Sequence, residues 1–195
     1  MRRGRGWCLV AAIGAATVLM SSCGSSSSSN TATGGTTTTS PSTTSPTTAA
    51  GPVSCQARQL QASRLATAAA AGHIVVTYGL RNTSGGSCTL FGYPGLQMTN
   101  ASDKPLPTHV SHGGSYTFVA ERPTPVLLAP QVQASFYAGY SDVPSGAETR
   151  CPQSAGLEIT PPGDNGAITI AEHIAPCGNG SITVSPVHAG TAPPP

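Results

Sequence analysis

Charged residues are scarce in this chain. They make up 8% of its 195 positions, and no cluster of Lys or Arg occurs beyond residue 5. Three of the nine basic residues are Arg2, Arg3 and Arg5; without them six basic residues stand against seven acidic ones, a net charge of −1. The lack of a basic cluster argues against electrostatic binding to nucleic acid or to anionic lipid, and we expect no nucleic-acid partner.

Motifs of enzymes and metal sites are also missing. The chain has no Cys-x-x-Cys pair and no G-x-S-x-G pentapeptide. His112–Ser115 is similar to the oxyanion-hole segment of esterases, but that segment works beside the missing pentapeptide. The seven carboxylates are scattered, and no short motif selects a glycosidase pair. We therefore expect no catalytic residues and no cofactor.

The apolar run at the N-terminus is too short to span a membrane. It extends from Trp7 to Met20, whereas a spanning helix needs about 20 apolar residues. Because it follows an arginine-rich start, we predict a signal peptide over residues 1–22. The segment Leu19–Cys23 resembles the lipobox of bacterial lipoproteins, which implies cleavage before Cys23 and lipidation of its thiol. The alternative is an ordinary secreted protein cut nearby, which leaves Cys23 as an unpaired thiol.

Residues 23–53 follow as a linker rich in Ser, Thr and Pro. The segment from Gly24 to Pro52 has no charge and no apolar face, so it cannot bury enough surface to fold. A disordered spacer of this length spans about 30 Å root-mean-square. We expect a lipid-anchored protein on the extracytoplasmic face of the cell membrane.

Four cysteines remain once Cys8 and Cys23 are assigned to the signal and the lipid. An even number of cysteines in an exported domain predicts two disulfides, for which three pairings exist. Spacings of 33, 63 and 26 residues do not fit a zinc site. We favour Cys55–Cys88 and Cys151–Cys177, since each pair brackets two strand-like runs and the outer ends of a hairpin lie together.

Alternating apolar residues predict an all-β domain over residues 54–187. The clearest runs are His73–Arg81 and Val132–Tyr140, and turn signals recur about every 8–12 residues. We predict eight or nine strands in a β-sandwich, with Ser115–Ala120 among the shorter candidates. The segment Leu65–Ala71 could form a helical turn, and residues 188–195 are expected to be a disordered tail.

Several segments resemble a known family. They are Cys55, Leu80–Ser84, Cys88–Tyr93 with Pro94, Cys151 and Cys177. Together they are similar to the actinobacterial family called domain of unknown function 4232, whose members are often lipoproteins or other exported envelope proteins. The resemblance implies an immunoglobulin-like antiparallel sandwich with disulfides, and it implies no activity.

Two pairs of residues are candidate binding groups. His109 and His112 are three residues apart, a spacing that could hold a metal on a helix, but the surrounding Pro and Gly residues indicate an exposed loop. Phe91 and Tyr93 could offer an aromatic ledge to a glycan or peptide. We favour a packing role for both aromatics, with Phe91 in the core and Tyr93 capping the sheet, and the same role for Tyr137 and Tyr140.

These observations favour a non-catalytic binding module displayed on the cell envelope. Its partner would be another envelope protein or a cell-wall polymer. The alternative is a carrier of a metal or small ligand in the envelope, and an envelope hydrolase is the least favoured function.

Overall fold

The alternating runs form long paired strands. The computed structural model describes residues 53–112 and 121–191. Outside these ranges lie the predicted signal peptide, Cys23, the linker up to residue 52 and the candidate strand Ser115–Ala120. Within the described ranges the strands are β1 (Leu60–Ala70), β2 (His73–Asn82), β3 (Cys88–Leu90), β4 (Gly95–Thr99), β5 (His109–Ser111), β6 (Val126–Leu128), β7 (Gln133–Ser141), β8 (Gly156–Thr160), β9 (Ile168–Ala171), β10 (Ser181–Val184) and β11 (His188–Ala189). A 3₁₀ turn at Ala57–Gln59 precedes β1, and a short turn with a left-handed backbone spans Cys177–Gly180.

The strands form three sheets. The largest has the order β1-β2-β7-β10-β5, with β11 also paired to β7; the others are β4-β8-β9 and β3-β6. All of these ladders are antiparallel except that between β5 and β10. The parallel pair is possible because β5 and β10 are far apart along the chain, with β6 to β9 between them, so no tight hairpin has to join them.

One core joins the three sheets. Its largest fully buried side chains come from β2, β3, β4, β6, β7, β8 and β10: Tyr78, Phe136, Leu80, Leu90, Met98, Leu128, Leu157, Ile159, Ile182, Val76 and Val184. Tyr137 and Tyr140 are also buried, as expected from their packing role. The predicted all-β, sandwich-like fold with two disulfides is confirmed. The described ranges contain eleven strands, more than the eight or nine predicted. The extra strands were not predicted because strands of two or three residues, such as β5 and β11, are too short to show alternation.

Two expectations are corrected by strand pairing. Leu65–Ala70 is the second half of β1 and not a helical turn, because its backbone pairs with β2 as far as Ala70 opposite His73. This tertiary pairing outweighs the helix propensity of the alanines. His188 and Ala189 do not begin a disordered tail, since they pair with Ser135 and Ala134 of β7.

The two disulfides lie at opposite ends of the β2–β7 ladder. Cys55 is bonded to Cys88 beside the end of β2, with 4.8 Å between their Cα atoms. Cys151 is bonded to Cys177, at 4.5 Å, next to the beginning of β2. These are the pairs that the hairpin geometry favours. In the chain-entropy account each closed loop adds about 3.5 kcal/mol to stability.

None of the helical segments in the described ranges is long and apolar enough to cross a bilayer.

Candidate binding site at one end of the sandwich

A cleft opens at the end of the sandwich where β2 begins and β7 ends. It has three adjoining parts of about 480, 360 and 490 Å³, which we call the His73 part, the Ile74 part and the Arg150 part. Tyr140 lines the first two, whereas Asp142, Gln153 and Ala175 line the last two. The whole depression, lined also by His173 and the Cys151–Cys177 disulfide, is the distal cleft.

The turn after Cys177 forms one wall of the His73 part. Gly178 and Asn179 both have left-handed backbones, with φ of 64° and 57°. Consecutive N–H groups in such a turn point the same way and form an anion-binding concavity. They donate to the Glu148 carboxylate, at 2.7 and 3.0 Å. Glu148 therefore fastens the loop before Cys151 to the turn after Cys177.

Ser154 is hydrogen-bonded to the segment Glu172–Ile174, which forms a wall of the Ile74 part. The Ser154 hydroxyl donates to the Glu172 carbonyl at 2.6 Å and accepts from the Ile174 N–H at 3.0 Å. Nδ1 of His173 lies 3.1 Å from the Ser154 carbonyl oxygen, an atom that can only accept. The proton of a neutral His173 is thereby placed on Nδ1, and Nε2 is left as an acceptor.

The floor of the cleft is a neutral phenol. Tyr140 is 5% exposed, and burial raises its pKa; the nearby Arg64 opposes this shift and Asp142 adds to it. Below the floor, burial likewise raises the pKa of Tyr78 far above that of a free tyrosine, and its hydroxyl has no hydrogen-bond partner among the residues that the structure describes. Both tyrosines are therefore protonated at neutral pH, which suits hydrogen-bond donation and not nucleophilic attack.

An ion pair between Arg64 and Glu172 lies near Tyr140. Arg64 of β1 donates from Nε to Oε2 of Glu172 at 3.2 Å, and its Nη2 contacts the second carboxylate oxygen. The Glu172 side chain is 4% exposed and the Arg64 side chain 41%. The pair thus links the edge of the largest sheet to the segment after β9.

The histidine candidates have separate surroundings. Nε2 of His109 lies 3.2 Å from Nδ2 of Asn179, near the distal cleft. The His112 ring stacks on Tyr93 with 4.2 Å between ring centroids. Within residues 53–112 and 121–191, the close grouping of metal-ligand types is Glu148 with Cys151 and Cys177, whose sulfurs are bonded to each other. The helical spacing that would have joined His109 to His112 does not apply, because His109 belongs to a strand.

The expected core position of Phe91 is wrong. Cys88 and Leu90 of β3 are buried, so the alternation of the strand turns Thr89 and Phe91 to the other face. Phe91 is 58% exposed. Tyr93 does pack on the core, and its hydroxyl donates to the Glu121 carbonyl at 3.3 Å. The two aromatics lie away from the distal cleft, and the glycine-rich residues 113–115 fall outside the described ranges.

Sequence reasoning did not predict that the residues of the distal cleft lie together. His73, Tyr140, Asp142, Arg150 and His173 are spread over 100 residues and share no motif. They meet because β2 and β7 are antiparallel, with His73 opposite Ser141, and because the second disulfide holds the connecting loops against that end.

The comparisons with known proteins give a family and no activity. A family model described as Domain of unknown function (DUF4232) matches residues 55–188, the greater part of the chain. No curated protein and no solved structure matches the chain. The matched residues run from the first disulfide cysteine to β11, so they include both disulfides and the whole distal cleft. This chain belongs to the DUF4232 family of domains of unknown function.

Proposed function

We propose that the protein is an envelope lipoprotein, of the actinobacterial type, that displays a non-catalytic binding module with the distal cleft as its binding surface. The lipobox-like segment Leu19–Cys23 and the spacer after it are the sequence features that support the anchor. The partner is an envelope protein or a cell-wall polymer at the extracytoplasmic face of the cell membrane.

The observation that carries this proposal is the position of the cleft relative to the start of the domain. Val53 and Cys55 hydrogen-bond to Thr89 of β3, next to the Cys55–Cys88 disulfide. The distal cleft lies at the other end of β2, a ten-residue strand that spans roughly 30 Å. A domain tethered through its N-terminus would therefore present the cleft away from the tether.

The polar groups of the cleft support binding more than hydrolysis. The Glu148 carboxylate is occupied by two backbone N–H groups, and the Ser154 hydroxyl by two backbone partners. A general base or a nucleophile needs a free group close to the reacting atom. Side chains already held by the backbone instead give a rigid, pre-organised surface, which lowers the entropic cost of binding.

Site-specific photocrosslinking in the native envelope tests the binding surface. A photoreactive amino acid would replace Ser145 or Gln153, two exposed residues of the cleft, in the full-length protein. The matched control is Ser87, an exposed serine next to the first disulfide. We expect adducts from the two cleft positions and none from Ser87. Equal adducts at all three positions, or none at any, would contradict the proposal.

Digestion of the adducts identifies the class of partner. An adduct that is shortened by a muralytic glycosidase contains cell-wall polymer, whereas one that is shortened only by protease contains protein. Intact mass measurement of the purified protein tests the anchor separately. We expect a chain that begins at Cys23 and carries a diacylglycerol, and no such mass in a Cys23→Ser variant.

A second candidate function is a small-ligand carrier. The Ile74 part of the cleft encloses about 360 Å³, within the range of roughly 300–1,000 Å³ that is usual for small-molecule sites. Its wall combines Ile74 and Ile174 with the polar groups of Gln153 and His173. Saturable binding of a small molecule to this part, without any adduct to a macromolecule, would favour this function over the first.

A further inference from the structure

Two opposite charges line the distal cleft without partners. Asp142 and Arg150 both border the Arg150 part. Neither side chain has an ion pair or a hydrogen bond to the residues that the structure describes. Four other charged side chains do have partners: Arg64 contacts Glu172, Glu121 lies 3.1 Å from Nε2 of His188, Glu148 accepts from the turn after Cys177, and Asp164 accepts from the N–H of Ala57 at 2.6 Å. Asp142 and Arg150 differ from other surface charges that have no partner among the described residues, such as Arg81 and Asp103, because both border one cavity.

The backbones that carry these two charges are fixed. The Asp142 N–H donates to the Gly72 carbonyl at 3.2 Å, which ties this residue to the β1–β2 turn. Arg150 directly precedes Cys151 and its disulfide. The carboxylate and the guanidinium do not come within 4 Å of each other, although they border the same space. A ligand with one positive and one negative group can therefore bind between them.

An apolar pocket adjoins the charged one. The Ile74 part shares Asp142, Gln153 and Ala175 with the Arg150 part, and it adds Ile74 and Ile174. Gln153, at the junction, supplies both a donor and an acceptor. The combination suits a molecule with a zwitterionic head and an apolar side chain.

We propose that the distal cleft binds an amino acid, or the end of a short peptide, through its free ammonium and carboxylate groups. This inference rests on the proposed function, because it uses the same surface. The ammonium binds Asp142, and the carboxylate takes the forked donors of Arg150, which match a carboxylate in two parallel hydrogen bonds. The side chain of the ligand enters the Ile74 part. Free amino acids and peptides share this chemistry and differ in the separation of their two charges.

Titration of the full-length, isotope-labelled protein by NMR tests the proposal. The probes are leucine, the dipeptide alanyl-leucine, N-acetyl-leucine and leucine amide; the last two each lack one charge. We expect saturable shifts of the backbone amides of Gln153, Ser154 and Ala175 with leucine or alanyl-leucine. Binding should weaken about three- to tenfold with either neutral analogue, because both charged contacts are partly exposed to water. The tighter of the two zwitterions identifies the source, a free amino acid or a peptide end.

Matched variants separate the two charges. Asp142→Asn should weaken leucine binding about three- to tenfold and leave binding of N-acetyl-leucine, which lacks the ammonium, unchanged. Arg150→Gln should also weaken leucine binding about three- to tenfold, and it should leave binding of leucine amide, which lacks the carboxylate, unchanged. The controls are Asp103→Asn and Arg81→Gln, exposed residues that line none of the three parts of the cleft, which should bind leucine as the unchanged protein does. All four side chains are exposed, so dispersed spectra should show that each variant folds.

Two results would overturn the proposal. The first is the absence of saturable shifts up to about 10 mM of leucine or alanyl-leucine. The second is equal binding of the zwitterions and their neutral analogues. If crosslinking at Ser145 and Gln153 still gives specific adducts in either case, the cleft remains a binding surface and only its specificity for a zwitterion is wrong. If that crosslinking also fails, the proposed function fails with it.

Discussion

Replacing Arg64 by methionine would leave the Glu172 carboxylate buried without its cation. The carboxylate is 4% exposed and accepts both hydrogen bonds of the guanidinium. Loss of one partner from a fully buried ion pair costs about 3–5 kcal/mol. The Arg64 side chain is 41% exposed, so water can reach the vacated position and offset part of that cost. We expect Arg64→Met to lower the free energy of unfolding by about 2–3 kcal/mol.

Removing both charges should restore most of the lost stability. In Arg64→Met combined with Glu172→Met no charge is left buried, and apolar side chains of similar length occupy both positions. Replacing a buried pair by apolar residues is often neutral or stabilising. We therefore expect the double variant to lie within about 1 kcal/mol of the unchanged protein, and the double-mutant cycle to give a coupling of about 1–3 kcal/mol.

Urea unfolding of the purified protein, followed by circular dichroism, measures these differences. For a domain of this size the single variant should also lower Tm by about 6–12 °C. The control is Arg81→Met, an exposed arginine of the neighbouring strand, which should change stability by no more than about 0.5 kcal/mol. If the single variant is as stable as this control, or if the double variant is as unstable as the single one, the buried, unpaired carboxylate does not explain the role of Arg64.

Three further outcomes follow from the packing. Gly180 has φ of 82°, and a Cβ at this position would collide with the Pro107 carbonyl oxygen, just before β5. Gly180→Ala should therefore lower the free energy of unfolding by about 3 kcal/mol or more, measured by urea unfolding. The control Gly85→Ala should be nearly neutral, because no atom lies within 4 Å of the added Cβ. The buried hydroxyl of Tyr78 has no hydrogen-bond partner within residues 53–112 and 121–191, so Tyr78→Phe should leave stability unchanged or raise it by up to about 1 kcal/mol. Because burial raises the pKa of Tyr78, the unfolded chain ionises first above about pH 10, and stability should fall more steeply there than in the phenylalanine variant. Phe91→Ser should be nearly neutral, whereas Leu90→Ala should cost about 2–4 kcal/mol, both measured by thermal unfolding.

Strand alternation and cysteine spacing predicted most of the fold. Val76, Tyr78 and Leu80 recur with a period of two, and all three lie in the core. The hairpin argument works because each cysteine pair brackets only two strands, so local geometry is sufficient. Leu65–Ala70 was less predictable, since its alanines favour a helix until the partner strand is known.

The position of Phe91 depended on its neighbours in the strand. Its apolar ring suggested the core, but the buried Cys88 and Leu90 fix the inward face of β3, and Phe91 has the opposite parity. In β3 the disulfide cysteine is thus a better marker of the inward face than the aromatic residue, because the side chain of Cys88 must point toward its bonded partner Cys55.

The sequence by itself predicted the fold class and favoured the cysteine pairing that the structure has, because the first depends on alternation within a few residues and the second on one hairpin at a time. Only the tertiary structure decided where a cleft forms. The distal cleft joins residues from the beginning of one strand, the end of another and two loops, and no local pattern encodes which strand ends meet. The same holds for Asp142 and Arg150, which have no ion-pair partner in the described part of the chain, since the partners of a charge are known only when its surroundings in space are known.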